Sequence, residues 1–73
     1  MEYLALGERI RQLRVERALS LKELSLKAGI SEDLLKKIEA DQDQPLIGQL
    51  ISLSKALDVN VADVFRDRPR SQK

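Results

Sequence analysis

Residues 20–39 read SLKELSLKAGISEDLLKKIE, and this stretch decides the fold. Apolar residues recur in it at helical spacing, at Leu24, Ala28, Leu35 and Ile38. Gly29 separates the two apolar pairs, and glycine adopts at little cost the left-handed backbone conformation that ends helices. The stretch therefore predicts two short helices joined by a tight turn.

Capping residues mark where these two helices begin. Ser20 lies three residues before Glu23, which is the spacing of a capping box. Ser31 can cap the next helix, because a serine hydroxyl accepts a hydrogen bond from the first turn. Glu32 and Asp33 then lie in that first turn, where carboxylates interact favourably with the helix dipole. The predicted bounds of the two helices are 20–28 and 31–40.

The same periodicity extends to both sides. Apolar residues recur at Leu6, Ile10 and Leu13, at Leu46, Leu50, Leu53 and Leu57, and at Val61, Val64 and Phe65. Pro45 ends a polar loop and opens helix 4, and Asn60 with Asp63 resembles another capping box. We predict an all-α domain of five helices over residues 1–67, followed by a disordered tail or linker at 68–73. The predicted outer helices span 2–17, 46–57 and 60–66.

Composition excludes several classes of function. The chain has 73 residues, no cysteine and no histidine, so neither disulfides, thiolate zinc sites nor a histidine general base is possible. No catalytic constellation can be argued from its scattered serines, lysines and carboxylates, and we expect no enzyme, no cofactor and no metal. Nothing in the sequence resembles a signal peptide and there is no run of about 18 apolar residues, so we expect a cytoplasmic protein without a membrane partner.

Net charge alone does not indicate a nucleic-acid partner. The formal net charge is only +1, and residues 20–44 hold four lysines against six acidic residues. A strongly basic chain would by itself have indicated nucleic acid. Function therefore has to be argued from the motif. The two helices, with Gly29 in the turn and Ile30 after it, form a helix-turn-helix, whose second helix can lie in a major groove of DNA.

Many positions also match, in order and register, the Cro/C1 (XRE) family of lambda-repressor-like domains. The matching segments are Leu6–Arg14, Leu19-Ser20, Glu23-Leu24, Lys27–Ser31, Lys37–Glu39, Gln44-Pro45 and Leu53–Leu57. The chain resembles this family from about Leu4 to Phe65. The resemblance implies a five-helix fold with the helix-turn-helix in helices 2 and 3. It further implies a homodimer that binds palindromic operators in double-stranded DNA and regulates transcription, as a repressor.

Carried over residue by residue, the resemblance implies two groups of site residues. Arg14 and Glu39 match a partly buried ion pair that ties helix 1 to helix 3. The DNA-binding group comprises Ser20 and Lys22 at the start of helix 2, Ser31 at the start of helix 3, and the outward-facing Glu32, Asp33, Lys36 and Lys37.

The chain departs from the family at several positions. Leu21 replaces a glutamine that contacts phosphate or braces a base contact, so that contact is lost. Ala18, Asp41 and Asp58 stand where glycine is common after helices. Alanine tolerates the left-handed region poorly, so we expect helix 1 to continue through Ala18 or to end in another way.

Two interpretations stay open for the acids of helix 3. Glu32 and Asp33 can be structural, because they favour the helix dipole and precede Lys36 and Lys37 by four residues. Alternatively, one carboxylate accepts a hydrogen bond from cytosine N4, or the acids repel DNA or meet a basic protein. Lys37 is the candidate for a base contact and Lys36 for a backbone contact, unless both are simply solvated.

Two classes of function follow. The first is a DNA-binding regulator, in which Val61, Val64 and Phe65 either close the core or form part of a dimer interface that includes part of helix 5. The alternative is a protein-interaction module on a helix-turn-helix scaffold that has lost DNA binding. Steep salt dependence of DNA binding distinguishes them, because phosphate contacts release counterions.

Overall fold

The computed structural model describes residues 6–65. Within them the chain forms five helices and no strand: α1 Leu6–Glu16, α2 Leu21–Ala28, α3 Glu32–Glu39, α4 Ile47–Ala56 and α5 Val61–Phe65. The all-α, five-helix prediction is confirmed. The predicted start of helix 1 at residue 2, the predicted end of helix 5 at residue 66 and the tail at 68–73 lie outside the described residues, as does the side chain of Phe65.

The core lies where the helices meet. α2 packs against α4 and α3, α1 packs against α3 and α5, and α4 also packs against α5. The buried apolar side chains are Ile10, Leu13, Leu24, Ala28, Leu35, Ile38, Leu50, Leu53, Leu57 and Val64. All ten belong to the periodic sets read from the sequence. Leu46 does not join them, because it is the N-cap residue of α4, lies outside the helical stripe and is 71% exposed.

The helix starts follow the predicted caps. Ser20 Oγ accepts a hydrogen bond from Glu23 N at 3.0 Å, and Glu23 Oε1 accepts one from Ser20 N at 2.8 Å, which completes the capping box. At α4 the helix begins one residue later than predicted. Leu46 has no acceptor in its side chain, so only Gln49 contributes, by accepting from Leu46 N at 2.9 Å.

Each of the helices α1 to α4 is followed, within two residues, by a residue whose backbone is left-handed. This residue is Ala18 with φ 55°, Gly29 with φ 72°, Asp41 with φ 58° and Asp58 with φ 61°. In each case the next N–H reaches back five residues, as in Leu19 N to Arg14 O at 3.1 Å, which is the Schellman pattern. The prediction for Ala18 was wrong. α1 ends at Glu16 and alanine takes the left-handed conformation, because two backbone hydrogen bonds and the packing of Leu19 on the core hold it there.

The start of α1 lies close against the end of α3. A Cβ added to Gly7 would lie 2.0 Å from Ile38 O and 2.9 Å from Glu39 O, so only glycine allows this approach. Asp41 Oδ1 accepts a hydrogen bond from Gly7 N at 3.1 Å and so satisfies a first-turn donor of α1. This contact fixes the C-terminal end of α3 relative to α1.

Candidate nucleic-acid interface

Helix α3 has one buried and one exposed face. Leu35 and Ile38 are almost fully buried between the other helices. The remaining face carries four charged, exposed side chains, those of Glu32, Asp33, Lys36 and Lys37. The core therefore anchors α3 from one side and leaves its charged side in solvent.

Ser31 caps this helix. Its backbone has extended dihedral angles, and Ser31 Oγ accepts a hydrogen bond from Leu34 N at 3.0 Å. The hydroxyl hydrogen of Ser31 remains available as a donor, because the cap uses only the oxygen as an acceptor. The first N–H groups of a helix have no partner within it, so those of Glu32 and Asp33 can also face an anion.

The predicted ion pairs along α3 do not form. Among residues 6–65, nitrogen–oxygen distances within 4.0 Å join only Arg14 to Glu39 and Arg17 to Glu16. Glu32 with Lys36 and Asp33 with Lys37 have the favourable spacing, but exposed pairs of this kind contribute little energy and water competes for each charge. Glu32 and Asp33 can therefore stabilise α3 through the helix dipole, but not through ion pairs with Lys36 and Lys37.

Three of the four charged side chains line one depression. Asp33, Lys36 and Lys37 border a shallow hollow of about 300 Å³ together with Ala40 and Gln42. One acceptor group, two ammonium groups and one amide therefore surround a space that a polar group can enter. Gln42 was not among the predicted site residues, although its place in the polar loop directly after α3 could have indicated it.

The capping box at the start of α2 uses the polar groups of Ser20. Ser20 and Lys22 are both exposed, as the predicted site requires. Hydrogen bonds from the Ser20 backbone and side chain, with a smaller effect of Lys27, hold the pKa of Glu23 below its ordinary value. The charged carboxylate takes the Ser20 N–H for itself. The Ser20 hydroxyl also serves this carboxylate, so a phosphate has to compete with Glu23 for it, while Lys22 is free to offer its ammonium group.

Leu21 has a structural role at the position where the family favours glutamine. Its side chain is half-buried and packs against the core. The loss of a polar contact at this position is therefore accompanied by additional apolar packing beneath the start of α2.

Arg14 and Glu39 hold α3 against α1. Arg14 Nε lies 2.7 Å from Glu39 Oε2 and Arg14 Nη2 lies 3.0 Å from Glu39 Oε1, which is a bidentate pair. Arg14 Nη1 also donates to Leu19 O at 2.8 Å. Only 13% of the arginine side chain and 7% of the glutamate side chain are exposed. One guanidinium therefore joins α1, the loop after it and the last turn of α3.

Two further arginines, one in α1 and one directly after it, contact the C-terminal half of the domain, and no spacing rule had indicated them. Arg17 Nε donates to Leu57 O at the end of α4, and Arg9 Nε donates to Asp63 O at 3.3 Å. Both use basic groups that a charge count would assign to DNA. They help to fix the scaffold on which α3 is presented.

The described residues contain neither a metal-binding cluster nor a helix that could span a membrane. From residue 6 to residue 65 there is no group of three or more carboxylates that could hold a metal ion. No helix in the same range is long and apolar enough to cross a membrane.

Comparison with known proteins gives matches over most of the chain. A protein-family model described as helix-turn-helix matches residues 10–64. The HTH-type transcriptional regulator SinR of Bacillus licheniformis is 37% identical over 68 residues, which cover 92% of this chain and 61% of that protein. This chain thus spans about 61% of the length of its SinR relatives.

Solved structures agree in fold. A crystal structure of SinR, the master regulator for biofilm formation, in complex with DNA has a TM-score of 0.80 and 39% identity, over 84% of this chain and 98% of that chain. The P22 c2 repressor in complex with a synthetic operator has a TM-score of 0.79 and 28% identity, over 84% of this chain and 92% of that one. With the family model and the SinR sequence, these matches establish that the chain belongs to the XRE-type helix-turn-helix family.

Proposed function

We propose that this protein binds double-stranded DNA in a sequence-specific manner and regulates transcription, as a repressor that binds palindromic operators as a homodimer. The observation that carries the proposal is the exposed, charged face of α3, which the core and the Arg14–Glu39 pair hold rigidly. The similarity to SinR bound to DNA and to the P22 c2 repressor bound to its operator supports it. Because such a regulator acts where the chromosome is, we propose a cytoplasmic location.

In the proposed complex, α3 lies in the major groove with its N-terminal turn towards the bases. Two copies present α3 to successive major grooves about 34 Å apart. Lys37, one helical turn past Asp33, contacts a base, and Lys36 contacts the backbone; all three side chains border the same hollow. Lys22 and the N-termini of α2 and α3 meet phosphates.

The acids supply selectivity in this proposal. A carboxylate accepts hydrogen bonds and cannot donate them, so Glu32 or Asp33 fits the N4 amino group of cytosine and repels phosphates. The absence of ion pairs to Lys36 and Lys37 leaves both carboxylates free for such a contact.

The test is selection from a randomised duplex pool at low and moderate salt, followed by sequencing of the retained DNA. We expect enrichment of a palindrome and an affinity that falls steeply as salt rises. No enrichment and no salt-dependent binding at micromolar protein would contradict the proposal.

Two variants test the roles within the site. Lys37→Ala should lower affinity and relax the preference at one base position, by about 1–3 kcal/mol if the contact is bidentate. Asp33→Asn should strengthen non-specific binding, because it removes a charge that repels phosphate. Unchanged specificity in the first variant, or unchanged non-specific affinity in the second, would contradict the assigned role.

The exposed acids also favour a second candidate, a protein-interaction module that has given up DNA. Glu32 and Asp33 would then meet a basic protein surface, and Leu21 would mark the lost phosphate contact. SinR itself has been solved in complex with the SinI protein. Absence of DNA binding in the selection, together with a correctly folded protein, would favour this candidate.

A further inference from the structure

The start of α4 and the residue before it present an apolar surface that no part of residues 6–65 covers. Leu46 is 71% exposed, Ile47 is 68% exposed and Ile51 is 39% exposed. Ile47 and Ile51 are one helical turn apart, and the exposed Gly48 lies beside them. These four residues form what we call the α4 patch.

The sequence around the α4 patch has no charge. Residues 44–54 contain no charged side chain, in a chain in which 34% of the residues are charged. At a twofold interface a side chain near the axis meets its own copy, so a charge there would meet a like charge. Interface cores are accordingly depleted of charged residues. The patch therefore has the composition that suits a second copy of the same chain.

Gly48 indicates independently that another chain approaches the start of α4. Glycine destabilises a helix relative to alanine. Gly7 is required by its contact with Ile38 O, and Gly29 by its positive φ, whereas a Cβ on Gly48 would meet no atom within 4 Å and its φ is not positive. Nothing within the described chain explains glycine at this position. Its bare backbone leaves room for the close approach of another helix.

We propose that the α4 patch is the surface through which two copies of this chain associate when they occupy neighbouring half-sites on DNA. The proposal rests on the proposed function, because DNA brings the copies together. It places the interface on α4, whereas the sequence led us to expect an interface that includes part of helix 5, which stays a prediction. Val64 is fully buried and Val61 packs on the core, so these two side chains of α5 are engaged within the monomer.

The size of the patch predicts how the dimer behaves. A stable interface usually buries about 800 Å² on each partner, which takes roughly 20–30 residues. The α4 patch supplies three apolar side chains, so association in free solution is weak. Two copies held on one duplex have a high effective concentration, and the same contact then becomes cooperative binding.

The experiment compares the wild-type chain with an Ile47→Gln/Ile51→Gln variant on two duplexes, the selected palindrome and a single half-site. Glutamine keeps helix propensity and adds no charge. The matched control is Leu26→Gln, on α2, where the leucine is 73% exposed and outside the patch. We expect the double variant to lose at least about tenfold in affinity for the palindrome, with half-site affinity unchanged. The control should behave as the wild type.

A second variant separates the interface from stability. Gly48→Ala should raise the thermal midpoint, because alanine favours the helix, and should lower cooperativity, because the added methyl group blocks close approach. A raised midpoint with cooperativity retained would show that Gly48 does not serve the interface.

The outcomes distinguish failure of the α4 patch from failure of the proposed function. Retained cooperativity in the double variant, or a wild type that binds the palindrome without cooperativity, would overturn the patch and leave DNA binding intact. If the wild type binds no DNA, the proposed function fails, and sedimentation velocity tests the α4 patch separately at concentrations high enough to populate a weak dimer. Self-association that the double variant loses supports the patch, and a wild type that stays monomeric at those concentrations overturns it.

Discussion

Substitution of Ala18 by glycine should stabilise this domain, although it removes a methyl group and lowers helix propensity nearby. Ala18 has φ 55°, is exposed and follows the last residues of α1. An L-residue in the left-handed region costs about 1–2 kcal/mol relative to glycine. The added freedom of glycine in the unfolded chain takes back about 0.4–1 kcal/mol. The net gain in the free energy of unfolding is about 0.5–1 kcal/mol.

Thermal or urea unfolding followed by circular dichroism measures this gain. A domain of this size shifts its Tm by about 4–8 °C per kcal/mol, so we expect a rise of about 2–8 °C for Ala18→Gly. The reverse change at the equivalent position of α2, Gly29→Ala, should destabilise by about the same amount, because a Cβ there meets no atom within 4 Å and only the positive φ of 72° is strained.

Glycine substitutions at the other two left-handed positions, Asp58 and Asp41, should stabilise the domain less than Ala18→Gly. Asp58→Gly should stabilise less, because aspartate tolerates the left-handed region better than alanine. Asp41→Gly should give little or no gain, because it also removes the acceptor of the Gly7 N–H. A Tm for Ala18→Gly at or below that of the wild type, with Gly29→Ala destabilising as expected, would refute the left-handed conformation at Ala18.

Three further predictions concern the scaffold. Gly7→Ala should unfold the domain or shift α1, because its Cβ would lie 2.0 Å from Ile38 O, and heteronuclear NMR spectra that keep the wild-type pattern would contradict this. Arg14→Ala should cost about 3–5 kcal/mol by leaving Glu39 buried without a partner, whereas Arg14→Leu/Glu39→Leu should recover most of the loss in urea unfolding. The pKa of Glu23 is lower in the folded protein than its ordinary value of about 4.5, so its contribution to stability is fully present above pH 4.5. That contribution is lost as the pH falls through the lower folded pKa. Glu23→Gln should therefore weaken the loss of stability below about pH 4.5 in a pH–stability profile.

The sequence predicted what is local or periodic. The caps at Ser20 and Ser31 depend on residues three positions apart, and all ten buried apolar residues follow from the helical period. The resemblance to the XRE family supplied what periodicity could not, above all the pairing of Arg14 with Glu39 across 25 positions. The structure also exposes all seven side chains of the predicted DNA-binding group.

The remaining features depend on contacts that distant residues make in three dimensions. Nothing in the pattern around Gly7 says that its Cα meets the end of α3, and nothing near Asp41 says that its carboxylate caps α1. Periodicity also placed Leu46 in the core, because it cannot distinguish an N-cap residue from the first residue of a helix. The left-handed conformation of Ala18 was missed because the tertiary packing of Leu19 overrides the local preference of alanine.

The acids of α3 show how these contacts bear on function. The position of α3 is fixed by its buried residues, by the cap at Ser31 and by the Arg14–Glu39 pair, none of which involves Glu32 or Asp33. Without ion pairs to the lysines, each acid contributes to the fold mainly through the helix dipole, which gives about 0.3–1 kcal/mol. Aspartate or glutamate at either position would supply that contribution equally, and so the fold places no constraint on which acid stands where. If the two positions also differ in their effect on the DNA sequence selected, the difference has to come from what the carboxylates meet outside the chain.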